Sequence, residues 1–128
     1  MNVRTETHCG GKRILLVDDE AHIQDLCQIL LENRDYLVDR VADGEEALRA
    51  LNNEQYELLI TDHLMPNLTG VELARQLRAS GNQIPAILIS GDMPVQEPDL
   101  RQLFTGGALL AKPFSISQFL AAVDDTLR

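Results

Sequence analysis

The feature that most constrains the fold is a run of mostly apolar residues that ends in a single acid. The run covers residues 57–61, and Asp62 follows it directly. Turn-forming residues come next, at Pro66, Asn67 and Gly70. A short apolar run bounded by turn signals is typical of a strand buried on both faces, as in a parallel sheet. The sequence therefore predicts that Asp62 lies where a buried strand leaves the core.

An aspartate in that position has two interpretations. Aspartate commonly begins a turn, and residues 57–69 taken alone favour this ordinary interpretation. A carboxylate at the end of a buried strand is nevertheless costly unless a positive charge or a function holds it there. The choice between the two depends on what the other strands carry at the same edge.

The rest of the chain alternates between strand patterns and helix patterns. Alternating strands and helices imply a parallel sheet with helices on both faces, joined by right-handed crossovers. The predicted fold class is therefore α/β, with a doubly wound five-stranded sheet. Asp39 and Arg40 place the second strand at a sheet edge. The strands are predicted at residues 13–20, 36–41, 57–62, 84–90 and 108–111.

Each predicted helix has an apolar face that recurs every three or four residues. The first helix is expected to end near Asn33, and the second to cover residues 44–52. Capping-box patterns begin the third and fifth helices, at Thr69 with Glu72 and at Ser115 with Gln118. The apolar faces, in chain order, consist of Ile23, Leu26, Cys27 and Leu30; Ala47, Ala50 and Leu51; Val71, Ala74 and Leu77; Leu100, Leu103 and Phe104; and Ile116, Phe119, Leu120, Val123 and Leu127.

The length and composition indicate one domain in a reducing compartment. A chain of 128 residues suffices for a single core at residues 12–128, and the polar residues 1–11 are expected to form a flexible tail. Cys9 and Cys27 lack the spacing of a metal site, which together with the absence of a membrane-spanning apolar run suggests a cytoplasmic location. The formal net charge of −9 argues against direct binding to nucleic acid or an anionic membrane.

Candidate reactive residues stand at the carboxyl ends of four predicted strands. Asp18 and Asp19 end the first strand, Asp62 ends the third, Ser90 ends the fourth, and Lys112 follows the fifth. Taken singly, these residues have ordinary explanations, such as a solvated lysine or acids that favour a helix N-terminus. Ligands of open parallel sheets bind beyond the carboxyl ends of the strands. The agreement of four strands therefore favours a functional site over a turn aspartate.

The charges of these residues indicate phosphoryl chemistry. Three carboxylates in one crevice repel one another unless a cation joins them, and an oxygen-lined site that also holds a phosphate suits Mg²⁺. With Mg²⁺ present, Asp62 could act as a nucleophile toward a phosphoryl group. The cation and Lys112 would share the charge of the transferred oxygens, and the Ser90 hydroxyl could bind one of them.

Four motifs in this order and spacing resemble the receiver domain of two-component response regulators. They are ILLVDDE, LLITDHLMPNLTG, ILISGD and LLAKPF, and the resemblance covers about residues 12–127. It implies a flavodoxin-like sheet with the strand order 2-1-3-4-5. It also implies a role for each residue at the sheet edge: Asp62 as phosphoacceptor, Asp18 and Asp19 as the acidic metal pair, the Leu64 backbone carbonyl as a further ligand of Mg²⁺, Ser90 as the switch hydroxyl, and Lys112 as the family's lysine.

The sequence departs from this family at Leu109. An aromatic residue often stands three positions before the lysine and reorients on activation, so the resemblance puts the aromatic relay in doubt here. The family often has a cis peptide before the proline that matches Pro113. Gly106 and Gly107, which precede Leu109, have two interpretations: they let the backbone move, or they form a tight turn into the fifth strand.

The resemblance implies a phosphorylation-dependent signalling switch and not an enzyme. A histidine kinase or histidine phosphotransfer protein would donate to Asp62, and the face formed by helix four, strand five and helix five would change its affinity for a downstream partner. Because the sequence stops after the fifth helix, we expect a stand-alone receiver or a part of a larger regulator or hybrid kinase. The sequence specifies neither the kinase nor the output.

Two alternatives belong to other functional classes. An aspartyl-phosphate phosphatase of the haloacid dehalogenase type usually needs a second aspartate two residues beyond the nucleophile. Leu64 stands there after Asp62, and Glu20 stands there after Asp18. A receiver-like interaction module that is never phosphorylated would be expected to lack one of the key residues, and none is missing here.

Overall fold

The structure, a computed structural model, describes residues 11–128. The predicted tail, with Cys9, therefore lies outside the described residues except for Gly11. All five predicted strands are present, as β1 (Arg13–Val17), β2 (Leu37–Val41), β3 (Leu58–Asp62), β4 (Ala86–Ser90) and β5 (Ala108–Ala111). The five predicted helices are α1 (Ala21–Glu32), α2 (Gly44–Asn53), α3 (Gly70–Ala79), α4 (Leu100–Leu103) and α5 (Ile116–Leu127).

The strands form one parallel sheet with the order β2-β1-β3-β4-β5, which confirms the predicted topology. β2 lies at an edge, as its charged residues predicted. The register aligns the carboxyl ends of the strands, because Val17 pairs with Thr61, Asp62 with Ile89, and Ser90 with Ala111. The residues that follow these strands are therefore brought to one edge of the sheet.

The core has two layers, one on each face of the sheet. Successive strand residues point to opposite faces, so the buried apolar runs of β1, β3 and β4 supply both layers. One layer packs Leu15, Leu59 and Leu88 against α2, α3 and α4. The other packs residues such as Ile60 and Ile87 against α1 and α5. Both layers are aliphatic apart from a few aromatic rings.

The predicted buried faces of α1 and α5 are partly wrong. Leu26 is 46% exposed, because the buried face of α1 is centred on Gln24, Cys27 and Leu31. The side-chain amide of Gln24 tolerates burial since its Nε2 donates to the Val41 carbonyl oxygen at 2.7 Å. Ile116, at the first position of α5, is 52% exposed, whereas Phe119 and Val123 in the same predicted face are fully buried.

The element boundaries also differ from the sequence prediction in one place that matters for the site. The first strand was predicted to include the acids up to Glu20, but β1 ends at Val17. Asp18, Asp19 and Glu20 therefore lie in the connection to α1 and not within the sheet. Both predicted capping boxes are confirmed, at the N-termini of α3 and α5. No helix within residues 11–128 is long and apolar enough to cross a membrane.

Gly107 is required by a close approach of two strands. A Cβ atom built on it would lie 1.8 Å from the Ala86 carbonyl oxygen, far inside van der Waals contact. Gly106, next to it, has a positive φ of 86° but open space around its Cβ position. The tight turn into β5 therefore accounts for Gly107, and the positive φ accounts for Gly106.

We expect Gly107→Ala to reduce the free energy of unfolding by about 3 kcal/mol or more, because β4 and β5 must separate to admit the methyl group. Gly106→Ala is the matched control. It strains the backbone without a clash and should cost about 1–2 kcal/mol. Urea unfolding of both variants measures the difference. Equal losses in the two variants would contradict the close approach of β5 to β4.

Candidate functional site

The structure gathers the predicted site residues at the carboxyl edge of the sheet. Asp18, Asp62 and Ser90 are buried, with relative exposures of 3%, 7% and 2%. Asp19 is exposed, and Lys112 is half-buried. The topological switch point, where β1 lies between β2 and β3, is adjacent to this cluster, as the rule for ligand sites in open parallel sheets predicts.

Three carboxylates form a group that could hold a cation. Asp18, Asp19 and Asp62 each offer an oxygen, and these oxygens lie within 4.8 Å of one another. Hard carboxylate oxygens suit Mg²⁺, which keeps several waters and shares its coordination with phosphate. Leu64 lies two residues beyond Asp62, and its side chain is 67% exposed. The role of its carbonyl as a further ligand stays a prediction.

Lys112 supplies a positive charge to this group. Its Nζ lies 3.0 Å from Asp62 Oδ1 and 3.5 Å from Glu20 Oε1. Although partial burial lowers the pKa of Lys112, its hydrogen bond to Asp62 and the surrounding carboxylates raise that pKa above the ordinary value. Lys112 is therefore firmly charged. The peptide bond between Lys112 and Pro113 is cis, as predicted.

Asp18 is the carboxylate most affected by its surroundings. Burial raises the pKa of Asp18 to about 6, and the charge of Asp62 adds to this effect. The backbone N–H of Glu20 donates to Asp18 Oδ1 at 2.8 Å and opposes the shift, as does Lys112. The single lysine thus leaves the carboxylates incompletely neutralised, which is the condition under which a cation binds.

Ser90 makes local hydrogen bonds at the end of β4. Its Oγ donates to the Asp92 carbonyl oxygen at 2.8 Å and accepts from the Asp92 N–H at 3.1 Å. Such bonds to nearby backbone groups are common for a serine at the end of a strand. They also restrain the beginning of the connection between β4 and α4.

Leu109 lies on β5 opposite Leu88 and is half-buried against the first core layer. It borders a cleft of about 370 Å³ between β5 and the connection that leads to α4. The other lining residues are Val95, Glu97, Pro98, Leu100 and Arg101. Leu109 therefore occupies the predicted position without filling the adjacent space.

Two residues near the site, His63 and Gly70, were given no role by sequence reasoning, and Glu20 was noted only as one of the acids that follow the first strand. Glu20 approaches Lys112, and its position directly after Asp19 was the available signal. The Nδ1 of His63 is buried and has no hydrogen-bond partner among residues 11–128. A Cβ on Gly70 would lie 2.6 Å from the Asp62 carbonyl oxygen, so this glycine lets α3 begin close to Asp62. The sequence indicated Gly70 only as a turn residue.

Known proteins match both the sequence and the fold. The family model described as the response regulator receiver domain matches residues 14–124. The response regulator RppA of Synechocystis sp. is 38% identical over 114 residues, covering 85% of this chain and 47% of that protein. The alkaline phosphatase synthesis transcriptional regulatory protein PhoP of Bacillus subtilis is 34% identical over 118 residues, covering 92% of this chain and 49% of that protein.

Solved structures with this fold include two that contain magnesium. The response regulator TrrA of Thermotoga maritima, in complex with Mg²⁺ and BeF, has a TM-score of 0.80 and 29% identity, with 90% of this chain and 98% of that chain covered. The receiver domain of the sensor histidine kinase PA1611 of Pseudomonas aeruginosa has a magnesium ion in its active-site cleft. Its TM-score is 0.75 and its identity 28%, with coverage of 91% and 98%.

The chain spans about half the length of the curated relatives it matches, so the similarity concerns one domain of those proteins. The matched region begins within β1 and ends within α5, and it includes the whole acidic edge of the sheet. Because this match covers nearly all of the strands and helices, the chain belongs to the family of response regulator receiver domains.

Proposed function

We propose that this receiver domain is a phosphorylation-dependent switch that accepts a phosphoryl group on Asp62. The donor would be a histidine kinase or a histidine phosphotransfer protein in the cytoplasm. The observation that carries the proposal is the contact of 3.0 Å between Asp62 Oδ1 and Lys112 Nζ, beside two further carboxylates. A carboxylate at a strand end that is held beside one lysine suits the attack on an incoming phosphoryl group.

In the proposed step, an Asp62 oxygen forms a bond to phosphorus while the bond from phosphorus to the donor breaks. The leaving group departs with the electron pair of that bond. Lys112 would stabilise the charge on the transferred oxygens, because its amine is already held at the acceptor carboxylate. The carboxylate of Asp18 lies beside Asp62 and makes the pocket unfavourable for a further anion until positive charge is added.

Asp18, Asp19 and Asp62 would hold Mg²⁺, with the Leu64 carbonyl as a further ligand. When bound, Mg²⁺ would supply the positive charge that lets an anionic phosphoryl group approach this acidic pocket. The three oxygens within 4.8 Å of one another support this assignment, since hard oxygen donors in a small cluster are the set that Mg²⁺ prefers.

Ser90 would transmit the change to the rest of the domain. β3 and β4 are neighbours, so a phosphoryl group on Asp62 could accept a hydrogen bond from the Ser90 hydroxyl. That hydrogen bond would replace the present donation from Ser90 to the Asp92 carbonyl. The connection to α4 would then rearrange, and the face formed by α4, β5 and α5 would change its affinity for a downstream partner.

Incubation with acetyl phosphate and Mg²⁺ tests the proposed function. Intact mass spectrometry should show the addition of one phosphoryl group, and EDTA should prevent it. The same preparation should not turn over small phosphate esters. Sustained hydrolysis of those esters would instead favour a phosphatase of the haloacid dehalogenase type, and no modification at all would favour an unphosphorylated interaction module.

We expect phosphorylation to shift residues 91–107 as a unit while Leu109 stays nearly stationary. Leu109 lacks a polar tip that would need a new hydrogen-bond partner, whereas the Ser90 hydroxyl restrains the first residues of this segment. NMR spectra with and without beryllium fluoride and Mg²⁺ measure the amide shifts of residues 91–107 and the methyl rotamer of Leu109.

The opposite pattern would contradict this switch. A large rotamer change of Leu109 with unperturbed amides in residues 91–107 would mean that phosphorylation moves the Leu109 side chain and not the backbone of residues 91–107. The Leu110 methyl groups serve as an internal control, because Leu110 neighbours Leu109 on β5 but belongs to the other core layer.

A further inference from the structure

Two arginines of α3 attach the two ends of α4 to the rest of the domain. Arg75 Nε and Nη2 donate to the two carboxylate oxygens of Asp99 at 3.0 and 2.9 Å, and Nη2 also donates to Glu97 Oε1 at 2.7 Å. Arg78 Nε and Nη2 donate to the Leu103 carbonyl oxygen at 3.1 and 2.8 Å. Asp99 directly precedes α4, and Leu103 is its last residue.

α4 depends on these contacts because it is too short to be stable alone. It has four residues, and its N-cap residue Asp99 makes no side-chain capping bond. The Asp99 carboxylate instead faces Arg75, whose hydrogen bonds lower the pKa of that carboxyl group. Leu100 and Leu103 anchor the inner side of α4 in the core. The position of α4 is thus set by two arginines and a few buried side chains.

The connection from β4 to α4 is consequently restrained at both ends. Ser90 and Asp92 exchange two hydrogen bonds at its beginning. Arg75 binds Glu97 and Asp99 at its end, a set of contacts that we call the Arg75 clamp. A rearrangement that begins at Ser90 can reach α4 only if the hydrogen bonds of the clamp break or if the Arg75 side chain moves together with α4.

The two arginine contacts differ in how easily they open. The side chain of Arg75 is 44% exposed, and those of Glu97 and Asp99 are each 32% exposed, so water and salt compete with these ion pairs. Arg78 is half-buried and donates to neutral carbonyl oxygens, including that of Asn82 at 3.1 Å. The N-terminal end of α4 is therefore the end that can be released, and the C-terminal end is a pivot.

We propose that the Arg75 clamp is a latch that opposes activation of this domain, with Arg78 as the pivot about which α4 turns when the latch opens. The proposal rests on the proposed function, since the signal that opens the latch is the phosphoryl group on Asp62. A ligand that favours the open position must work against the clamp, so weakening the clamp increases the apparent affinity for that ligand.

Beryllium fluoride with Mg²⁺, as a stand-in for the phosphoryl group, tests the latch. Arg75→Gln should bind it roughly two- to fivefold more tightly than the unaltered protein, the range expected for exposed ion pairs. Arg75→Lys, which keeps the charge but loses the fork of donors, should lie between the two. Arg40→Gln is the matched control, because it removes an exposed ion pair to Asp25 that does not touch residues 91–103.

Amide hydrogen exchange of the unmodified proteins supplies a second measurement. Arg75→Gln should speed exchange at the amides of residues 97, 100 and 103, since the last of these donates to the Asp99 carbonyl. The Gly107 amide, which donates to the Phe104 carbonyl beyond α4, should keep the rate found in Arg40→Gln. A purely structural role of Arg75 would speed exchange without increasing the affinity for beryllium fluoride, and that result would overturn the latch. Unchanged exchange at residues 97, 100 and 103 would overturn it as well. If Arg75→Gln does not fold, Asp99→Asn replaces it with the same expectations.

The two proposals fail in different ways. If the unaltered protein takes up neither beryllium fluoride nor a phosphoryl group, the proposed function is wrong, and hydrogen exchange alone then decides whether the clamp restrains α4. If the unaltered protein is phosphorylated but Arg75→Gln and Arg40→Gln bind beryllium fluoride equally, the proposed function stands and the latch is wrong.

Discussion

Asp62→Ala is expected to take up no phosphoryl group from acetyl phosphate in the presence of Mg²⁺. The physical reason is that Asp62 is the carboxylate 3.0 Å from Lys112, so the charge of the incoming group is compensated there. Asp18 is 3% exposed and has a pKa raised to about 6 by burial, which makes it a poor substitute. Intact mass spectrometry over a time course measures the modified fraction.

Asp25→Ala is the matched control for this loss. Asp25 lies on α1, is exposed, and pairs with Arg40 outside the acidic pocket. This variant should be modified at the rate of the unaltered protein. Modification of Asp62→Ala to the same extent would show that another residue is the acceptor, and fragment spectra of the modified protein would then identify it.

The sequence predicted the site well because the site depends on strand ends. In a parallel sheet, the residue that follows each buried strand reaches the same edge whatever the details of packing. Asp62, Ser90 and Lys112 could therefore be placed together from apolar run lengths alone. The burial of each of these side chains could not be predicted in the same way. Asp18 and Asp19 are adjacent in sequence, yet one is 3% exposed and the other is exposed.

Contacts between distant segments left no local signal in the sequence. Arg75 is separated from Asp99 by 24 residues, and nothing in either segment indicates that they pair. The exposed Leu26 was predicted to be buried because the apolar stripe of α1 is wider than the surface that the sheet covers. Gln24 is buried on this face instead, because its side-chain amide donates to the Val41 carbonyl on the edge strand β2. A hydrophobic pattern cannot reveal such a hydrogen bond.

The stability of the metal-free protein should fall as the pH rises through about 6. The folded-state pKa of Asp18, about 6, lies above the ordinary value of about 4, so between these values the folded protein keeps a proton that the unfolded chain has lost. The stabilisation from that proton is complete below pH 4 and is lost above pH 6, a change of roughly 2–3 kcal/mol. Asp18→Asn should lack this loss and be more stable than the unaltered protein at pH 7.5 in EDTA.

Saturating Mg²⁺ should narrow the difference in stability between the two proteins at pH 7.5. The cation binds the folded pocket and not the unfolded chain, so 100-fold excess over the dissociation constant adds about 2.7 kcal/mol to the unaltered protein and less to Asp18→Asn. Asp19→Asn is the control. The charge of Asp19 is exposed and screened by solvent, so it destabilises the metal-free folded state little. Its removal should therefore change the metal-free stability little but lower the affinity for Mg²⁺. Urea unfolding at several pH values measures each effect. If Asp18→Asn keeps the same pH dependence, or gains as much from Mg²⁺, then Asp18 does not carry the charge repulsion that the cation relieves.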